Sequence, residues 1–215
     1  MKIDNVLYIF NVSALNDDGL HARARERVTA RRREKTDCFY ARSDRNLSLG
    51  AGLLLDYGLR QLGIDAAAAE FITNGRGKPA LKDHPEICFN LSHSGDHAVC
   101  AFSGLPVGCD IERIRPVDLK IARRCFSEEE CAEIFTQTDE EQRTAAFFRV
   151  WTRRESYAKA VGLGLAEVLA DRSCADMEKW HFSGFETAPD YRLTVCAESG
   201  DDFKTVFLSA GRLLN

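Results

Sequence analysis

Residues 107–116 read VGCDIERIRP. Val107, Cys109 and Ile111 alternate with Gly108, Asp110 and Glu112, the two-residue period of a strand with one apolar face. Ile111 is expected in a core, and both carboxylates project from the other face, roughly 6–7 Å apart at the backbone. Gly104 to Pro106, just before this strand, forms a plausible hinge that opens a second half. Beyond it, Lys120–Arg124 and Glu128–Phe135 are helix-prone, the latter with Ser127 as N-cap before three glutamates. Glu140–Val161 is the strongest helical stretch, closed by Gly162 and Gly164. The tail reads as three strands, Trp180–Phe185, Tyr191–Ala197 and Phe203–Leu208.

The first half carries the same ingredients. Val6–Phe10 reads as a strand and Leu20–Lys35 as a charged helix. Ser43–Leu62 is a longer helix, apolar at Leu47, Leu54, Leu55 and Leu59 and ending at Gly63. Thr73–Pro79 holds two glycines and a proline and reads as a loop. Ile87–Leu91 and Ala98–Phe102, joined by SHSGDH, read as a hairpin. Each half thus has strands and at least one long helix, an α+β chain of two subdomains.

The 215 residues, 45% apolar and 29% charged, match a globular chain and exclude a wholly disordered or fibrous one. No apolar run approaches a membrane span, and Val6–Phe10 is too short for a signal peptide, so a soluble cytoplasmic protein is expected. The eight cysteines form no C-x-x-C pair and are expected as reduced thiols. A net charge of −4 argues against a dedicated nucleic-acid binder. Yet nine basic residues (Arg23, Arg25, Arg27, Arg31, Arg32, Arg33, Lys35, Arg42, Arg45) share Arg23–Arg45 with four acids. That segment fits a solvated helix face or a site for a phosphorylated ligand.

Three stretches carry candidate chemistry. Asp110 and Glu112 are hard oxygen donors suited to Mg²⁺, although the alternation alone also fits a solvent-facing strand. In VWTRRESYAKAVGLGL, residues 150–165, Trp151, Glu155 and Lys159 share one helix face, so Glu155 can join the acidic pair while Lys159 neutralises a phosphate. In NGRGKPAL, residues 74–81, the turn that carries Lys78 and Pro79 can place a lysine stem against a flat ring. The backbone N–H groups of SHSG, with Ser92 and His93, can form a phosphate nest. A histidine in a turn is more often solvated, and His97 is expected so.

The ordered set R-R-R-E-K, G-x-G-K-P, F-N-x-S-H-S, G-x-D-I-E and W-x-x-x-E-S-x-x-K-x-x-G-x-G runs from about Arg31 to Leu165. It resembles the 4′-phosphopantetheinyl transferases of the longer, pseudo-dimeric type. The resemblance implies two similar subdomains, residues 1–104 and 105–215, each a small sheet on a long helix, with the active site in the cleft between them. Asp110, Glu112 and Glu155 would hold Mg²⁺ on the pyrophosphate of coenzyme A, the co-substrate. Lys159 would stabilise the leaving group, Ser92 and His93 would contact phosphates, and Lys78 and Pro79 the nucleotide. Arg32, Lys35 and Arg45 (or Asn46 in its place) would grip the 3′-phosphate. Glu155 would be metal ligand, general base for the acceptor serine, or both, with Asp110 and Lys159 completing the catalytic set.

Three departures from the family pattern stand out: Arg154 where lysine is common, the 3′-phosphate position that falls at Arg45 or Asn46, and Cys109 where an apolar residue is usual. The implied partner is an apo acyl or peptidyl carrier protein, docking by analogy on Ile114–Phe135 with Arg123, Arg124 and Phe126. No nucleic-acid or membrane partner is expected. Since the halves would pair within one chain, a monomer is expected. The rival readings are a non-catalytic coenzyme A binder and an Mg²⁺-dependent phosphodiesterase.

Overall fold

The computed structural model describes residues 3–171 and 175–215. Cys174 lies outside the described residues, and the other seven cysteines are free thiols. Strand β1 (Val6–Asn11) leads into helices α1 (Asp18–Arg27), α2 (Ala30–Asp37) and α3 (Arg42–Gln61). The short strands β2 (Phe71–Thr73) and β3 (Pro79–Leu81) precede β4 (Cys88–Ser94), β5 (His97–Ser103) and β6 (Val107–Arg113). Helices α4 (Lys120–Cys125), α5 (Glu128–Phe135), α6 (Glu140–Val161) and α7 (Leu165–Ala170) follow. The chain ends in β7 (His181–Phe185), β8 (Tyr191–Ala197), β9 (Lys204–Leu208) and α8 (Ala210–Leu214). Among the described residues no helix is long and apolar enough to cross a membrane.

The α+β architecture is four layers deep. One sheet has the order β4-β5-β1-β9, the other β6-β8-β7, and β2 pairs with β3 as a separate ribbon. Alternation along each strand decides which layer a residue enters. Tyr8, Phe10, Ala98, Cys100 and Phe102 pack against Leu49, Leu53 and Leu54 of α3. Their neighbours Leu7, Ile9, Val99 and Ala101 meet Val107, Cys109, Ile111, Leu193 and Val195 between the two sheets. The far side of β8 contributes Cys196 to a cluster with Tyr157, Ala158 and Ala160 of α6. Strand β9 pairs in parallel with β1, and Leu208 and Leu213 enter the α3 core, so the chain's last segment belongs to the first sheet.

Four expectations need correction. Leu20–Lys35 is two helices, because Val28 is drawn into the core and Thr29 caps the second one through its side chain to Arg32 N–H. The SHSGDH segment is mostly strand: Ser92, His93 and Ser94 pair with Val99, Ala98 and His97, leaving Gly95 and Asp96 as the turn. His97 is not solvated; it is 9% exposed and lies edge-on to Tyr191, ring centroids 4.5 Å apart. Phe126 is fully buried among Ala122, Ile134 and Phe147 and offers no docking surface. Arg123 and Arg124 remain exposed, Arg123 lying 4.2 Å over the Phe135 ring.

The contact that positions the acidic pair is between backbones. A Cβ added at Gly108 would fall 2.0 Å from the Ser156 carbonyl and 2.4 Å from the Ala160 nitrogen. Only a residue without a side chain lets β6 lie this close to α6. Asp110 and Glu112, on the same face of β6, are thereby set against the turns that carry Glu155 and Lys159. Gly108→Ala is expected to lower stability by about 1–3 kcal/mol, because helix backbone must move. Chemical denaturation of the two proteins measures this; an unchanged midpoint and slope would contradict the close-approach reading.

Candidate active site

A cavity of about 500 Å³ opens between the layers, within the range of small-ligand sites. Its walls bring together Arg32, Lys35, Pro79, Ser92, His93, Asp110, Glu112, Glu155 and Lys159, residues 127 positions apart at the extremes of that list (159 minus 32). Arg31 and Gly77 line it too. Three expected members, Arg45, its alternative Asn46 and Lys78, are absent from the walls. The Arg45 Nε donates to the Phe39 carbonyl at 2.8 Å, a local tie at the start of α3, and Arg45 does not line the cavity. Asn46 is buried against His21 and Asn16 instead.

Lys78 lies behind the wall with its ammonium turned away. Its Nζ donates to the Ala160 carbonyl at 2.7 Å and the Val107 carbonyl at 3.2 Å. Asn74 donates to the Gly162 carbonyl at 3.0 Å, and Arg76 pairs with Glu167. These side chains fasten the β2–β3 loop to the start of β6, to α7 and to the C-terminal end of α6, whose last carbonyls lack helical partners. Lys78 is therefore a tether between the halves, and its loop meets the cavity through Gly77 and Pro79.

On the α2 side, cations stand without carboxylates. Among the described residues Arg31, Arg32 and Lys35 make no side-chain ion pair, whereas Asp56 in the same wall is taken by Arg27 and Arg60. The stem of Arg32 lies on Gly52, where an added Cβ would come within 2.7 Å of it. Burial pushes the Arg32 and Lys35 pKa values down, and the neighbouring cations press Lys35 further. His93 is likewise lowered, by burial first and then by Lys159 and Lys35. An anion in the cavity would relieve all three.

The β6–α6 side has the opposite character. Asp110 is 3% exposed, and its Oδ1 accepts from Lys159 Nζ at 2.6 Å and from Ser92 Oγ at 2.9 Å. Its Oδ2 is buried with no hydrogen-bond partner. Burial pushes the Asp110 and Glu155 carboxyls up. Burial alone would lower Lys159, but the charge and hydrogen bond of Asp110, joined by Glu155, hold it above the ordinary lysine value. Among the described residues no three His, Cys, Asp or Glu side chains are gathered closely enough to hold a metal ion by themselves.

Arg154 is fully buried and serves the scaffold. Its guanidinium donates to Glu130 at 2.7–3.1 Å and to the Val168 and Asp171 carbonyls at 2.9 Å each. Glu130 closes the capping box of α5 at the same time. Burial alone would raise the Glu130 carboxyl, but the bonds from Arg154 and the Ser127 N–H bring it below the usual range. A planar fork meets five acceptor contacts that a lysine could not, which accounts for arginine here. Cys109 is buried between the sheets, its Sγ donating to the Asn90 carbonyl, as a packing role requires.

Motif reading missed Asn90 and Ser94 as site-building residues, although the N-x-S-x-S alternation on a strand was a visible signal. Asn90, Ser92 and Ser94 point to one side of β4 and bind the free edge of β6. Cys109 N–H donates to Asn90 Oδ1 at 2.9 Å, Ile111 N–H to Ser92 Oγ at 3.3 Å and Arg113 N–H to Ser94 Oγ at 3.1 Å.

Comparison with known proteins gives the class, a transferase of phosphopantetheinyl groups. The model of the 4′-phosphopantetheinyl transferase superfamily matches residues 106–206. The chain is 32% identical over 188 residues to the 4′-phosphopantetheinyl transferase Sfp of Bacillus subtilis (strain 168), covering 81% of this chain and 84% of that protein. It is 32% identical over 215 residues to another B. subtilis 4′-phosphopantetheinyl transferase, covering 94% of each. It is 35% identical over 136 residues to HetI of Nostoc sp. (strain PCC 7120), 60% of this chain and 57% of that one. The chain belongs to the 4′-phosphopantetheinyl transferase superfamily and is an enzyme of the Sfp type.

Proposed function

We propose that the enzyme transfers the 4′-phosphopantetheine group of coenzyme A to a serine of an apo acyl or peptidyl carrier protein, with Mg²⁺ as its cation, and releases 3′,5′-adenosine bisphosphate. The observation that carries this reading is the pairing, in one cavity, of unpartnered Arg32 and Lys35 with the buried, unpartnered Oδ2 of Asp110. An orphaned, buried carboxylate oxygen is costly and fits a hard cation. Asp110, Glu112 and Glu155 would hold Mg²⁺, with substrate and water oxygens completing its shell. When bound, the ion would neutralise pyrophosphate charge in an in-line displacement.

Arg32 and Lys35 bind the 3′-phosphate, with Arg31 beside them and His93 toward the pyrophosphate. Gly77 and Pro79 flank the nucleotide. Glu155, raised by burial, accepts the proton of the carrier serine as its oxygen bonds to the β-phosphorus. The bond from that phosphorus to the bridging oxygen breaks, and its electron pair leaves on adenosine bisphosphate, where Lys159 balances the charge. The same reading includes a monomer in the cytoplasm, with the chain crossing between subdomains at residues 104 and 105 and returning to the first with β9.

Intact mass of an apo carrier incubated with coenzyme A and enzyme tests the proposal. The expected result is a gain of one phosphopantetheine group that a chelator abolishes. No gain with fatty-acid and peptidyl carriers while coenzyme A still binds would make the protein a binder, and coenzyme A cleavage without carrier modification a hydrolase. A second test separates the phosphate grip. Arg32→Ala is expected to raise KM for coenzyme A about 10-fold or more, the loss of one charged hydrogen bond. KM for dephospho-coenzyme A should stay near wild type; an equal rise for both would place Arg32 elsewhere.

A further inference from the structure

The two serines of the S-x-S segment do more than close the edge of β6. Ser92 Oγ donates to Asp110 Oδ1 at 2.9 Å while accepting the Ile111 N–H. Ser94 Oγ donates to Glu112 Oε2 at 2.9 Å while accepting the Arg113 N–H. Each hydroxyl thus uses its single proton on one oxygen of one carboxylate and takes its direction from the next backbone N–H along β6. Arg115 adds a second donor to the same Glu112 Oε2 at 2.9 Å.

The consequence is a matched pair of free oxygens. With Oδ1 of Asp110 and Oε2 of Glu112 occupied, Asp110 Oδ2 and Glu112 Oε1 accept no hydrogen bond among the described residues. A carboxylate free to rotate would lose entropy on binding a cation; one already pinned by a hydroxyl loses less. The Ser92 proton is also committed, so it is not left over for a phosphate.

We propose that Ser92 and Ser94 are positioning residues, a register of two hydroxyls on β4 that presents one oxygen each of Asp110 and Glu112 to the cation. This deepens the proposed function and rests on its reading of Glu112 as a cation ligand. Ser94 is the cleaner probe, because Ser92 also receives Lys159 Nζ at 3.0 Å. Ser94→Ala leaves the Arg113 N–H in a half-exposed place that water can reach, while Glu112 loses its fixed donor.

Mn²⁺ binding, followed by electron paramagnetic resonance with coenzyme A present and no carrier, is the direct test. Ser94→Ala is expected to weaken Mn²⁺ about 10-fold, as the loss of an outer partner does at metal sites. Ser94→Thr, which keeps the hydroxyl, should recover most of the affinity, a rescue that a packing defect would not predict. Wild-type affinity in Ser94→Ala alongside a clear loss in Glu112→Gln would overturn the proposal and leave the Glu112 reading standing. Unchanged affinity in Glu112→Gln as well would overturn both.

Discussion

The seam between β4 and β6 is the constraint on which the rest of the molecule depends. The two strands belong to different sheets, and no backbone ladder joins them. Strand β6 would otherwise offer a bare edge of N–H groups in the middle of the protein, and an unpaired buried N–H is expensive. The side chains of Asn90, Ser92 and Ser94 take the place of a strand, one for each N–H at Cys109, Ile111 and Arg113. Because side chains rather than backbone make the join, the sheets can lie face to face over the core of Leu7, Ile9, Val99 and Ile111. A backbone ladder would have merged them into one surface.

From that seam the site follows by geometry. Holding β6 by its edge aims Gly108, Asp110 and Glu112 at α6, and the bare backbone at Gly108 brings α6 close enough for Lys159 to reach Asp110 at 2.6 Å. The same stretch of α6 is braced by Arg154 on Glu130, and its C-terminal end by Lys78 and Asn74. The charged side chains of the cavity thus sit on elements fixed at several points, as preorganised chemistry demands. The basic wall is built differently: Arg31, Arg32 and Lys35 rise from a short helix seated on Gly52, with no ion-pair partner among the described residues.

Regular periodicity carried most of the fold into view from sequence. The 22-residue helix α6 and the tail strands around Tyr191–Ala197 read directly from apolar spacing and bounding glycines. What escaped was set by tertiary contact. The break at Val28 and Thr29 shows only as one apolar residue and a cap inside a charged run. The turn after Ser94 looked longer than it is because polar side chains usually mark loops, and here they face a neighbouring strand. The acids and Lys159, singled out by residue type and spacing, line one cavity, whereas the charged ends of Lys78 and Arg45 lie on backbone carbonyls outside it. A basic side chain reads as a ligand until nearby carbonyls, here those of Ala160, Val107 and Phe39, are seen to occupy it.

Side chains of β4 thus stand in for a strand along β6. Amide hydrogen exchange resolved at Cys109, Ile111 and Arg113, in wild type and in Asn90→Ala, tests it most directly. Strong protection is expected at Cys109 and Ile111, with faster exchange at Cys109 when Asn90 is truncated. Exchange at Cys109 as rapid as at an open strand edge, or untouched by Asn90→Ala, would contradict it.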